Sequence, residues 1–260
     1  MTTRRKNAAP ELAPATISEA DGVRYLHLGT PWVQGAMRIR KPLHIELEYV
    51  QRMMAWMLLR PCDELTQGHA VQLGLGAAAV TRYCHSVLKL RTTAVELNPT
   101  VIAACRLWFH LPRDSSRLRV IEGDAAAFAA DPANAGTVHA LCVDLYDHDA
   151  ASPVLDSEAF YRDCRALLAE GGVMSVNLFG RASSFERSAA RIAAVFGTER
   201  LRSLRPTKEG NTVVLALRDA QVPGRDVLAQ RADTIEARFD LPARKWLRMM
   251  RVLPASIAAS

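Results

Sequence analysis

From Val71 onward the chain alternates short apolar runs with helical segments, and this alternation constrains the fold more than any other feature of the sequence. AVQLGL, TTAVEL, LRVIEG, HALCVDLY and VMSVNLF are each of strand length and mostly apolar, as strands covered on both faces are. Helical stretches separate them. They run from Tyr83 to Leu88, from Thr100 to Phe109 behind an Asn98 cap and Pro99, and near Ala125 to Ala130. Then come SEAFYRDCRALLA, capped by Asp156 or Ser157 and closed by Gly171 and Gly172, and a helix from Ser184 to Val195. ERLRSLR and TVVLALR read as a closing antiparallel pair. Such a series specifies an α/β protein with a doubly wound, mostly parallel sheet, whose ligands bind at the carboxyl ends of the strands.

The flanks divide the chain further. Residues 1–20 are polar and Ala/Pro-rich and read as a loose N-terminus. Residues 21–60 hold VRYLHLG and WVQGAMRIR, a β-hairpin around Gly29, Thr30 and Pro31, then a helix from Leu43 to Leu59 that stops before Pro61. Residues 61–220 form the nucleotide-binding domain, and 221–260 a helical tail. No apolar run reaches the ~18 residues of a membrane helix and the start lacks a signal peptide's apolar block, so a cytoplasmic protein with no membrane partner is expected. The five cysteines are widely spaced without CxxC, and the seven histidines are scattered, so no metal is expected. A net charge of +6 permits an anionic partner. The basic residues of LPARKWLRMMRV suit a helix docked by its apolar face better than a nucleic-acid surface.

The stretch VQLGLGAAAV places Gly74 and Gly76 in the turn after the first strand of the series, where a missing side chain lets backbone approach a ligand. Glu96 ends the next strand, about 20 residues on, where an acidic group meets a ribose diol. GLGAAA also fits the dinucleotide pattern G-x-G-x-x-A. The third strand weighs against that reading: it runs into Glu122, Gly123, Asp124 and Ala125, an acidic turn suited to an adenine amino group, and the fourth ends at Asp144. Carboxylates on consecutive strand ends suit adenosine carrying a cationic sulfonium and would repel a pyrophosphate. Asp144, Leu145, Tyr146 and Asp147 lie beside this pocket, where two carboxylates can face one cleft, hold a cationic amine and take its proton.

LGLGAAAV, AVELNP, VIEGDA, VDLYD and SEAFYRDCRALLAEGGVMSVNL, in this order, resemble the spermidine synthase family of polyamine aminopropyltransferases, built on the class I methyltransferase-like, Rossmann-related fold. The resemblance covers roughly Val23 to Leu217. It implies a sheet of about seven strands behind a small N-terminal β part, a homodimer, and decarboxylated S-adenosylmethionine as co-substrate. It also implies that Glu96 holds the ribose, Asp124 with Ala125 the adenine, and that Asp144 is the base activating a small-molecule amine. Asp147 matches the second carboxylate of the family's D-x-x-D turn, with Tyr146 beside it on the acceptor side. Gln34 and Tyr49 match cofactor-side and acceptor-side residues.

Three departures stand out. The family's glycine turn commonly reads G-G-G-D-G, with its aspartate on the amine end of the decarboxylated cofactor, and here that position is Ala77. Loss of such a charge removes an attraction for the decarboxylated cofactor and a repulsion against intact S-adenosylmethionine, about 2 to 5 kcal/mol of selectivity. RKPLHIELEYVQ replaces the family's Tyr-His-Glu-like segment, with Glu46 and Glu48 still acidic, and HDAASP follows Asp147 in place of Pro-Gly-Pro. An S-adenosylmethionine-dependent methyltransferase and a non-catalytic binding protein are the alternatives on the same fold.

Overall fold

The computed structural model describes residues 12–145, 155–180 and 182–254. It opens with a small antiparallel sheet of β1 (Ala15–Ala20), β2 (Val23–Leu28) and β3 (Gly35–Arg38), in the order β1-β2-β3. The expected hairpin is therefore three-stranded, and residues 15–20 belong to it, not to a loose terminus. Asp21 and Gly22, both at positive φ (51° and 74°), make the two-residue turn that joins β1 to β2 with matched twist. Ala15 and Ile17 pack on Leu26, Met37 and Phe109, which fixes the register.

The helix expected from Leu43 begins later. α1 spans Glu48–Met53 and tightens into a 3-10 turn over Met54–Leu59. Ahead of it the Ile45 carbonyl accepts from Gln51 Nε2 at 2.7 Å, so a side chain takes a backbone acceptor that an earlier helical turn would use, while Arg38 pairs with the Glu46 carboxylate at 2.6 Å.

The main sheet follows in chain order. It comprises β4 (His69–Leu73), α2 (Ala79–Ser86), β5 (Arg91–Glu96), α3 (Pro99–Trp108), β6 (Leu118–Glu122), α4 (Ala125–Ala130), β7 (Val138–Val143), α5 (Glu158–Leu167), β8 (Leu168–Phe179), α6 (Ala182–Phe196), β9 (Leu201–Leu204) and β10 (Asn211–Leu217). The tail adds α7 (Arg225–Phe239), α8 (Ala243–Met249) and β11 (Met250–Val252). The strand order is β11-β9-β10-β8-β7-β4-β5-β6, with β4 to β8 parallel and β9 and β10 antiparallel as expected. The sheet has eight strands instead of seven because the tail turns back as β11 along β9. α5 stops at Leu167, where Leu168 turns extended, and Gly171 sits inside β8 at an irregularity of its pairing with β7 instead of closing the helix.

One apolar layer joins Met54, Trp56, Leu215, Ala232, Ile235 and Trp246, so the tail shares the core of the sheet. Two of its basic residues pair within the molecule: Arg244 with Asp233 at 2.6 Å, and Lys245 with Glu48 at 2.7 Å. All five cysteines are unpaired thiols, four of them buried. Among the described residues no helix is long and apolar enough to cross a membrane, and no three acidic, histidine or cysteine side chains are placed to hold a metal ion.

At the amino end of the sheet, far along the strands from their carboxyl ends, His69 is 8% exposed, with Nε2 at 2.9 Å from Thr93 Oγ1 and Nδ1 at 2.9 Å from Arg91 Nη2. Burial, then the charge of Arg91, lowers its pKa from 6.5 to about 4. The unfolded chain thus takes up this proton first, so the stability is complete above about pH 6.5 and is lost as pH falls towards about 4. Denaturant titration is expected to show a loss of about 2 to 3 kcal/mol over that window, and His69→Gln to flatten it. An equally steep fall in the variant would assign the dependence to other groups.

Candidate active site

The site forms where β4, β5 and β7 end side by side. Gly74 takes φ +84°, donates to the Val95 carbonyl at 2.9 Å, and lies so close to the backbone of Asp144 that a Cβ would overlap the Asp144 carbonyl oxygen. Asp144 N–H donates to the Leu73 carbonyl at 2.9 Å, which ties β7 to the start of the same turn. Gly76 (φ +49°) and Ala78 (φ 57°) complete the turn, and α2 starts at Ala79. Glycine at position 74 is demanded twice, by its left-handed backbone and by the approach of β7.

Glu96 faces this turn from β5. Its Oε2 accepts from Leu75 N–H and its Oε1 from Asn98 N–H, each at 2.9 Å. Counting the backbone donor from Leu97, three N–H groups hold the carboxylate in one orientation and leave it a lone pair to spare. Burial raises its pKa, and backbone donors from Asn98, Leu75 and Leu97 oppose that rise. Asp124 caps α4 by accepting from Ala126 N–H at 2.8 Å and is exposed at the rim, with Ala125 buried behind it. Glu96 and Glu122 are paired in register on β5 and β6, which brings the Asp124 turn alongside Glu96.

Asp144 sits across the turn. Asn177 Nδ2 donates to its Oδ1 at 2.9 Å, and Tyr49 from α1 donates a second side-chain bond. Burial raises the carboxyl pKa, and the two donors work against the rise. Gln34, Tyr49, Gln72, Gly76, Ala77 and Asp144 line one cavity. Five of these six were singled out in the sequence. Gly74 supports the cavity from behind, while Glu96, Asp124 and Ala125 extend the site along the next two strand ends. Tyr146 and Asp147 lie outside the described residues.

Ala77 is 3% exposed, and a Cβ at Gly35 would lie 2.5 Å from its methyl carbon. The N-terminal sheet thus seats β3 directly on the glycine turn, with the Gln34 carbonyl over Gly76. Two further residues escaped the sequence reading. Gln72, buried in β4, donates to the Gly74 carbonyl at 2.8 Å and the Leu75 carbonyl at 3.2 Å, and its Oε1 accepts from Thr81 N–H at 3.0 Å and Thr81 Oγ1 at 2.6 Å. Asn177 is the other. Each is the lone amide in an apolar strand, in AVQLGL and VMSVNLF, and a buried amide must find partners. That was the available signal.

A doubly wound sheet with a glycine turn after β4, and a glutamate and an aspartate ending the strands on either side of it, defines a protein of the class I methyltransferase-like fold. No family model matches the chain. The polyamine aminopropyltransferase of Neisseria meningitidis serogroup A (serotype 4A) is 32% identical over 244 residues, covering 93% of this chain and 89% of that protein. That of Chromobacterium violaceum is 30% identical over 251 residues, covering 95% and 94%. Among solved structures, a probable spermidine synthase from Corynebacterium glutamicum superposes with a TM-score of 0.72 at 20% identity, over 88% of this chain and 85% of that one. Human methyltransferase-like protein 13 in complex with SAH gives 0.65 at 22% identity, over 81% and 97%. The chain belongs to the polyamine aminopropyltransferase family and is a transferase of the spermidine synthase type.

Gln72→Leu is expected to destabilise the fold by about 2 to 4 kcal/mol, since it keeps the volume but leaves the Thr81 hydroxyl and two turn carbonyls without their amide partner. Equilibrium unfolding measures this. A loss of less than about 0.5 kcal/mol would show that the turn stands without it.

Proposed function

We propose that the protein transfers the aminopropyl group of decarboxylated S-adenosylmethionine to a polyamine such as putrescine, with Asp144 as general base. The observation that carries this is the place of Asp144: a carboxylate at the end of β7, touching Tyr49 and Asn177 and facing the glycine turn across one cavity. In this reading Glu96 accepts from the ribose hydroxyls, Asp124 and Ala125 meet the adenine, and Gln34, Gly74 and Gly76 enclose the remainder of the nucleoside. The same reading gives Tyr49, Tyr146 and Asp147 to the acceptor amine.

The amine nitrogen, once neutral, attacks the carbon next to sulfur. The C–S bond breaks with its electron pair going to sulfur, methylthioadenosine leaves, and the proton released from nitrogen passes to Asp144. Burial favours this step because a carboxylate with a raised pKa holds the proton better. Because attack neutralises the sulfonium, a water-poor pocket lowers the barrier relative to water. The reading includes a homodimer in the cytoplasm, supported by the resemblance of the motifs to the family, and sedimentation of the purified protein tests the dimer.

Ala77 favours a second reading. Its methyl group packs on Gly35 where a carboxylate would otherwise select the decarboxylated cofactor, so a methyltransferase using intact S-adenosylmethionine fits the same pocket. Titration calorimetry with the two sulfonium nucleosides separates them. Tighter binding of the decarboxylated form supports aminopropyl transfer, and tighter binding of the intact form retires it.

Asp144→Asn is expected to lower turnover by at least about a hundredfold with nucleoside affinity within about twofold of the parent. Glu96→Ala is expected to weaken nucleoside binding about tenfold or more. Full activity in Asp144→Asn would remove the base assignment, and unchanged affinity in Glu96→Ala would remove the ribose assignment.

A further inference from the structure

The polar contacts of Asp144 continue beyond its first partners. Asn177 on β8 is 4% exposed, and its Nδ2 serves two acceptors: Asp144 Oδ1 at 2.9 Å and Asn211 Oδ1, on β10, at 3.1 Å. The chemistry of the chain fixes each amide in turn. An ionised carboxylate only accepts, so Asn177 must present its NH₂ to Asp144. Both hydrogens then leave from the same nitrogen, and the second needs an acceptor, so Asn211 must present its oxygen. Asn211 is held in turn by its backbone, with its N–H donating to Thr207 Oγ1 at 3.2 Å and its carbonyl accepting from Thr207 N–H at 2.8 Å. A protonated Asp144 could be served by either face of the Asn177 amide, whereas an ionised one is served by the NH₂ face, whose second hydrogen the Asn211 oxygen accepts.

We propose that Asn177 and Asn211 are positioning residues for the transfer reaction: the pair fixes the amide of Asn177 with its donor towards Asp144, and so holds that carboxylate ionised and oriented towards the acceptor amine. This rests on the reading of Asp144 as the base. Among the described residues, Tyr49 from α1 and Cys142 on its own strand are the titratable groups facing Asp144, while β8 and β10 face it with amides and β4 with the Gly74 backbone. Burial pushes the Asp144 carboxyl up, and the Asn177 donor is the first influence opposing that rise.

Two readouts in Asn177→Ala and Asn211→Ala test the pair. Carbon-13 NMR titration of the Asp144 carboxyl reads its ionisation without turnover, and the pH dependence of kcat/KM reads it in the reaction. Asn177→Ala is expected to move the carboxyl titration and the acid limb of kcat/KM upward together, by about one pH unit, with the rate loss about tenfold below the limb and small above it. Asn211→Ala is expected to move both in the same direction by less, and Asn211→Asp to move them further because a second carboxylate is brought near. Nucleoside affinity stays within about twofold of the parent in the alanine variants. An unmoved Asp144 titration in Asn177→Ala, or a rate loss uniform across pH, overturns the proposal. A moved titration with an unmoved acid limb upholds the hold of the pair on Asp144 and overturns instead the assignment of Asp144 as base.

Discussion

The site depends on the backbone approach between the ends of β4 and β7. Asp144 N–H bonds to the Leu73 carbonyl while the Asp144 carbonyl closes on Gly74, so two parallel neighbours continue in contact one residue past their ladder. No side chain fits in that gap. Everything the site uses is referred to this contact: the turn departs from it, Glu96 holds the turn through Leu75, and the Asp144 side chain is aimed from it. Because parallel strands end together only when their register is fixed, the pairing of β4 with β7 on one side and β5 on the other also sets the spacing of Asp144 and Glu96.

A second layer of contacts comes from outside the parallel core. β3 lies on the glycine turn through Gly35 and Ala77, and α1 brings Tyr49 to Asp144. α1 is itself held from the tail, where Lys245 reaches Glu48 beside Tyr49, and from the end of β9, where Arg52 bonds to the Arg205 carbonyl as well as to Glu48. The C-terminal helix thus braces an element of the site, although its sequence offered only an amphipathic pattern. An exposed pair such as Lys245 and Glu48 contributes little energy by itself. Its value is geometric, since the apolar burial of Trp246 places it.

How much of this was legible follows from the kind of signal each residue carries. Gly74, Gly76, Glu96 and Asp144 are read from local sequence because backbone conformation and strand ends impose their type. β1 was missed although Asp21–Gly22 announces a two-residue hairpin, because a polar, Ala/Pro-rich opening outweighed it. The eighth strand was not legible at all: Met250–Val252 is too short to show alternation, and pairing with β9 is decided by where α7 and α8 deliver it. Gln72 and Asn177 fall between these cases. Their strands were read correctly, and a lone amide within each marked a partner without saying which.

Glu96 and Asp144 share an electrostatic condition that links the fold to its ligand. Each has its pKa raised by burial, and among the described residues neither forms a salt bridge; neutral donors, three backbone N–H groups for one and an amide and a phenol for the other, are what keep them oriented. Neutral dipoles offset only part of the cost of removing a carboxylate from water. Two such groups, on the strand ends either side of the β4 turn, leave the pocket with carboxylate charge that no described salt bridge neutralises, and a cation entering it would recover the remainder. A ligand carrying a sulfonium and an acceptor carrying ammonium groups both answer that charge, whereas a pyrophosphate opposes it. Alanine at position 77 adds no charge at the turn itself, so the acidic character of the site lies at the two strand ends, and the turn meets whatever enters it with the shape set by Ala77 and Gly35.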